Sequence, residues 1–368
     1  MLTRRQLLAK AGAAAAAGLA GAAVLPGRLG VPSATAATLR RCVALGPAGC
    51  IAPGCPQDLR AGDNRALLAQ SGTRWVRLWA DWPTLMPAPA TFAPDRVAAL
   101  DAQIAQARAD GLRTILTLYR FPAWVNGVAR APLFMPPADV SQSGAWGQFV
   151  AWTVTRYGAA IDVLELTNEP NLQWSSRSVA PETVAAMFDT AQRIAAGLGS
   201  PVVLGGPGLS DVTGYDAFTE RLLAALARRG FAAGPSFAWT HHNYADVAYG
   251  TDRTADVRRR LAGRWAGWPA GDAGEPQMLI TESGVTLRTI ARRLGIAGPG
   301  AQRTKQADLL RAAWERLAGR TDACGVALFT QYLFYSDPSY DSGLCETAES
   351  GGARRPAFEA WRALPSVA

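Results

Sequence analysis

The chain has 368 residues, 49% hydrophobic and 18% charged, with a formal net charge of +8. Such a composition is globular and supplies a sizeable core, in one large α/β domain or two ordinary ones. Arg4, Arg5, Lys10 and Arg28 carry half of the net charge, and the remaining arginines are scattered beside acids, which argues against nucleic acid as a partner.

The N-terminus reads as an export signal. Thr3-Arg4-Arg5-Gln6-Leu7-Leu8 and Lys10 precede an Ala/Gly/Leu-rich stretch to Leu25, and Ala34-Thr35-Ala36 supplies a small-x-small cleavage pattern. The paired arginines resemble a twin-arginine signal, which carries folded proteins across the membrane. Residues 1–36 are therefore expected to be removed, leaving 37–368 as a secreted domain. The apolar stretch is shorter than the ~20 residues that a spanning helix needs. No other membrane segment is legible, so none is expected in the mature form.

Beyond residue 38 short apolar runs alternate with longer amphipathic stretches. Strands are expected at Cys42–Leu45, Trp75–Trp79, Thr114–Tyr119, Val163–Thr167, Pro201–Gly205, Phe237–Tyr244, Gln277–Glu282 and Gly325–Phe329. Helices are expected at Asn64–Gln70, Pro94–Asp110, Gly147–Tyr157, Pro181–Gly197, Gly214–Arg229, Thr254–Ala266, Lys305–Arg320 and Pro356–Leu364. Gly72, Gly111, Gly197 and Gly230 stand where helices should end. This alternation predicts an α/β fold, a single-domain (β/α)8 TIM barrel. An open doubly wound sheet is the rival, but no Gly-x-Gly-x-x-Gly turn follows the first strand.

In a barrel the C-terminal strand ends share one mouth. Glu169 and Glu282, ending strands four and seven, would face each other there, and paired carboxylates are the machinery of glycosidic bond cleavage. Arg77, His242 and Tyr244 suit such a site, because a cation and a hydroxyl both steady a carboxylate. Trp79, Trp82 and Trp124 offer flat surfaces for sugar rings or, equally, core. Strand alternation puts His242 and Tyr244 on one face and His241 on the other. Glu165 shares the parity of Glu169 but lies deeper, which favours a buried ion pair, and Arg77 has the same duller reading as an acid's partner.

Arg77, Asn168-Glu169-Pro170, His242-x-Tyr244, Thr281-Glu282 and Arg355-Pro356-Ala357-Phe358, in this order, resemble the signature of glycoside hydrolase clan A. Val203-Leu204-Gly205-Gly206-Pro207 is more similar to family 39 and its relatives than to family 5. The resemblance spans residues 40–368 and implies a retaining mechanism without metal or cofactor. Under it Glu169 is the acid/base, Glu282 the nucleophile, Asn168 the partner of a sugar 2-hydroxyl, and Tyr244 a neighbour of the nucleophile. Many family 5 members carry a tryptophan at the end of strand eight; here Tyr332 or Phe334 takes that place. The expected substrate-binding set is Arg77, Trp124, Asn168, His242, Tyr244 and Tyr332, acting on carbohydrate in a monomer. A non-catalytic carbohydrate-binding barrel and a transglycosylase are the alternatives.

Five cysteines in an exported chain permit bridges, with one thiol left over. Cys50 with Cys55, or Cys345 with either of them, is one possibility. Cys42 with Cys324 is another, since strands one and eight are neighbours in a closed barrel.

Overall fold

Eight β-rich runs close into a barrel in which each strand pairs in parallel with its chain neighbours and β1 meets β8. The computed structural model describes residues 39–45, 59, 62–127, 134–172, 179–231, 233–234, 236–265, 278–318, 326–347 and 352–365. The strands are β1 Arg40–Ala44, β2 Trp75–Asp81, β3 Arg113–Tyr119, β4 Val163–Glu165, β5 Val203–Leu209, β6 Phe237–His242, β7 Met278–Ser283 and β8 Val326–Gln331. The (β/α)8 expectation therefore holds. The signal, Cys50, Cys55 and Cys324 lie outside the described residues.

The described helices are α1 Gly62–Gln70, α2 Trp82–Leu85, α3 Pro94–Ala109, α4 Ala145–Tyr157, α5 Pro181–Gly197 and α6 Tyr215–Arg228. They continue with α7 Tyr244–Tyr249, α8 Arg253–Arg264, α9 Leu287–Leu294, α10 Pro299–Ala318 and α11 Pro356–Ala363. Proline opens α3, α5 and α11, where the missing N–H would have had no intrahelical partner. Three of the four expected glycine stops are left-handed, but Gly197 stays helical and Gly199 takes the turn, at φ 60°.

Two apolar layers hold the barrel. Between strands and helices, Trp82 stacks on Phe149 at 4.4 Å and 2°, with Trp146 beside it. Inside, Cys42, Trp75, Ile115, Val163, Ala238, Leu279 and Leu328 form a second cluster that Val203 joins, so all eight strands contribute. Cys42 and Cys345 are buried free thiols. This corrects the bridging expectations for both: Cys42 points into the inner cluster, and burial pushes its thiol up to about 12.

Several boundaries also differ from the sequence reading. β4 stops at Glu165 instead of Thr167, because the chain leaves regular geometry to present Asn168 and Glu169. β5 runs through Gly205-Gly206-Pro207-Gly208 to Leu209, where glycines had suggested an end. β6 stops at His242, and Tyr244 opens the short helix α7. The helices α2, α7 and α9 were not anticipated.

Candidate active site

Period-2 alternation builds the site in layers above the inner apolar cluster. Two positions beyond Trp75, Ile115, Val163 and Leu279 stand Arg77, Thr117, Glu165 and Thr281, the polar floor of the mouth. Arg77 donates from Nε (2.9 Å) and Nη2 (2.6 Å) to Glu165 Oε2. Its Nη1 donates to Glu282 Oε1 at 2.6 Å and its Nη2 also to Asn168 Oδ1 at 2.7 Å. The guanidinium lies 4.1 Å over the Trp79 ring. A planar fork of donors can serve several acceptors at once, which a lysine could not.

Charge explains why this ion cluster survives burial. Burial disfavours the Arg77 cation, but Glu165 and Glu282 outweigh it and hold its pKa above the ordinary value. Burial likewise raises Glu165, yet Arg77, His242 and the hydroxyls of Thr117 and Thr281, each 2.7 Å away, hold it below the usual carboxylate range. Glu165 is thus a fully buried counter-ion, as its depth in the strand suggested.

Glu282 and Glu169 reach the floor by irregular backbone. β6 and β7 pair His241 with Ile280 and then His242 with Glu282, skipping Thr281. That bulge lets consecutive residues, Thr281 and Glu282, both face the cluster. Glu169 sits at φ 48°, in the left-handed region. His242 Nδ1 lies 3.0 Å from Glu169 Oε1 and 3.6 Å from Glu282 Oε2. Burial lowers the His242 pKa, but Glu282 and Glu169 more than reverse this, so it stands above the ordinary histidine value. Tyr244 donates its hydroxyl to Glu282 Oε2 at 2.6 Å. Burial and the Glu282 charge keep that phenol protonated.

Arg77, Asn168, Glu169, His242, Tyr244 and Glu282 are therefore brought together. Tyr332 stands on the rim, its ring 6.5 Å from Trp79, and its peptide bond to Leu333 is cis. Trp124 lies in a 3-10 turn, Ala123–Asn126, its indole bonded to Met86 O at 3.1 Å and its ring 6.1 Å from Trp82. Among its described contacts none is with the carboxylates. Trp82 is 1% exposed and belongs to the outer core.

Several rim residues carry little local signal in the sequence. Tyr119 packs against Trp79 at 5.1 Å and Phe134 at 5.8 Å; Tyr340 packs against Tyr332 at 5.3 Å and Tyr244 at 5.7 Å. These rings form an aromatic arc from β3 round to β6. Tyr119 ended an expected strand, so it was findable, whereas Tyr340 lay inside a long loop without a periodic signal. Asp81, the last residue of β2, accepts hydrogen bonds from Arg120 and from Thr84. Asp211 is a further buried carboxyl nearby: burial, chiefly, pushes it up to about 7, while it accepts from Ala245 N at 2.6 Å.

Glu169, His242 and Glu282 each offer one ligand atom, all within 4.8 Å of one another. A cation would fit that spacing, but both Glu282 oxygens are bonded to Arg77 and Tyr244, and the Arg77 charge opposes a second cation. The arrangement suits proton transfer and nucleophilic attack better than ligation.

No protein-family model matches the chain, and no curated protein matches its sequence. Solved structures do. A family 39 glycoside hydrolase from the gut symbiont Bacteroides cellulosilyticus superposes with TM-score 0.61 at 15% identity, over 90% of this chain and 64% of that one. A family 39 β-xylosidase from Caulobacter crescentus gives 0.59 at 16%, over 90% and 72%. An endo-β-1,4-glucanase from Xanthomonas axonopodis pv. citri, carrying three mutations, gives 0.58 at 14%, over 88% and 98%. At these identities the likeness is one of fold. The chain spans less than two thirds of the Bacteroides protein's length.

Proposed function

We propose that the chain is a secreted glycoside hydrolase that cleaves O-glycosidic bonds of an oligo- or polysaccharide with retention of configuration. One observation carries this reading: carboxylates from the tail of β4 and from β7, joined through His242, each bring one oxygen within 4.8 Å of the other. Retaining enzymes hold their pair about 5–5.5 Å apart, whereas inverting ones need about 6.5–9.5 Å to seat a water. Likeness of fold to glycoside hydrolases of families 39 and 5 supports the reaction class.

The division of labour follows from the partners. Glu282 receives hydrogen bonds from Arg77 and Tyr244 on its two oxygens, which favours the anion and aims it as nucleophile. Glu169 carries only the His242 contact on its carboxyl among the described residues, and it is the acid/base. It protonates the leaving oxygen while Glu282 attacks the anomeric carbon, then deprotonates the water that frees the sugar. Asn168 spends its carbonyl on Arg77 and keeps its NH2 for a sugar hydroxyl. The aromatic arc of Tyr119, Trp79, Tyr332 and Tyr340 supplies apolar faces for the ring.

The test is direct. A panel of aryl glycosides should reveal a hydrolysed sugar, and NMR of the first-formed anomer should show retention. Glu282→Ala should abolish turnover, and azide should restore a glycosyl azide of inverted configuration. Full activity in that variant, or in Glu169→Ala, refutes the assignment. Both carboxylates are present, which disfavours a non-catalytic binder, and product analysis with sugar acceptors separates hydrolysis from transglycosylation. Residues 1–36 are, on the same proposal, a twin-arginine export signal.

A further inference from the structure

β4 ends as a regular strand at Glu165, yet the tail beyond it is not loose. Leu166 N donates to Gly205 O at 2.8 Å, and Thr167 Oγ1 to Pro207 O at 2.8 Å. Glu169 N donates to Gly208 O at 2.8 Å. Asn171 then closes the series: its Nδ2 donates to Ser210 O at 2.7 Å and its Oδ1 accepts from Ser210 N at 3.0 Å. Leu166, Thr167, Glu169 and Asn171 are thus zipped to β5 and its extension by backbone and side chain in turn. Asn171 imitates a strand partner by bonding both main-chain groups of one residue.

Glu169 needs that zip. At φ 48° a residue with a Cβ sits about 1–2 kcal/mol above the ordinary helical or extended regions. Such a conformation persists only where its surroundings over-determine it. Gly208 supplies one tether, and its own φ of 63° turns its carbonyl toward Glu169 N. Leu172 N, donating to Glu169 O at 3.0 Å, supplies a second, and Asn171 a third, two residues beyond Glu169, where the ladder has no main-chain bond to offer among the described residues.

We infer that Asn171 is a positioning residue, whose double hydrogen bond to Ser210 holds the Glu169 carboxyl on the leaving-group oxygen. This inference rests on the proposed acid/base role of Glu169. It acts through backbone geometry, and Asn171 itself touches no reacting atom.

A loss of acid catalysis is read most clearly from the leaving group, because a poor leaving group needs its proton and an activated one does not. Asn171→Ala should lower kcat/KM on an alkyl glycoside about 30-fold or more, a sizeable part of the roughly 10²–10⁴-fold that a general acid contributes. On the 2,4-dinitrophenyl glycoside of the same sugar the loss should stay within about 3-fold. Glu169→Ala run alongside should show the same signature more strongly. Asn171→Asp keeps size and the acceptor for Ser210 N–H but sets a carboxylate against the Ser210 carbonyl; it repeats the test should the alanine variant not fold. Equal losses on both substrates, or no loss on either, overturn the positioning role. If Glu169→Ala shows no leaving-group dependence, the acid/base assignment itself fails, and this inference with it.

Discussion

Arg77 Nη1 and Glu282 Oε1 meet at 2.6 Å, while the same guanidinium neutralises Glu165 from its other edge. One buried cation thereby serves a structural acid and a chemical one. Arg77→Met removes the partner of both and leaves Glu165 fully buried without its hydrogen-bonded counter-ion. Breaking a buried pair from one side costs about 3–5 kcal/mol. Urea unfolding should show a loss of that order, together with a fall in kcat. Arg77→Lys keeps the charge but not the fork, so it should unfold less readily than Arg77→Met while turning over far more slowly than wild type. Stability unchanged in Arg77→Met would contradict the geometry.

Tyr244 holds the other oxygen of Glu282, at 2.6 Å. Tyr244→Phe keeps the ring packed near Tyr340 and deletes only the hydroxyl. A hydrogen bond to a charged group contributes about 1.5–3 kcal/mol, so kcat should fall roughly 10- to 150-fold. The melting temperature should fall by no more than a few degrees. Wild-type kcat in this variant would remove Tyr244 from the nucleophile's support.

The barrel and its mouth were legible because both follow from local patterns. Alternating apolar runs and amphipathic stretches announce the fold, and Asn168-Glu169-Pro170 marks a strand that ends in polar groups. Period-2 parity correctly separates His242, which meets Glu169, from His241, which contacts neither carboxylate among the described residues. Parity fails at β7, where the bulge beside Thr281 turns two consecutive residues inward, and nothing in Thr281-Glu282-Ser283 announces it. Tyr340 was hidden for another reason: it meets Tyr332 and Tyr244 from a different segment, in a loop that the Asp341–Arg355 pair, at 2.5 Å, ties to the start of α11. Contacts between distant chain segments leave no periodic trace. Trp124 illustrates the converse, since an aromatic residue at a strand end can serve packing as well as binding.

The export proposal has its own test, independent of catalysis. Arg4→Lys with Arg5→Lys keeps the positive charge but removes the paired arginines. A twin-arginine substrate so altered should remain inside the cell as precursor, and immunoblots of cell and medium fractions read this directly. Unchanged export would instead assign residues 1–36 to the general secretory route.

Asp211 makes stability depend on pH in a direction opposite to that of most carboxylates. Its ordinary value is 3.8, and burial, only partly offset by Ala245 N–H and joined by the Asp246 charge, raises it to about 7 in the folded chain. Arg253 and His242 also face it and pull the other way. Between these values the folded state holds a proton that the unfolded state has released. The native state therefore binds more protons across that window, and stability falls as pH rises through it. The contribution is complete below pH 3.8 and gone above about 7. A shift of this size corresponds to roughly 2–4 kcal/mol at most. Asp211→Asn keeps an acceptor for Ala245 N–H and cannot ionise. It should match wild type near pH 4 and exceed it in stability at pH 8, as measured by urea unfolding at both. Taking the difference between the two proteins cancels every other titrating group to first order. A variant no more stable than wild type at pH 8 would show that Asp211 ionises in the folded chain without cost, and that its surroundings solvate the carboxylate as well as water does.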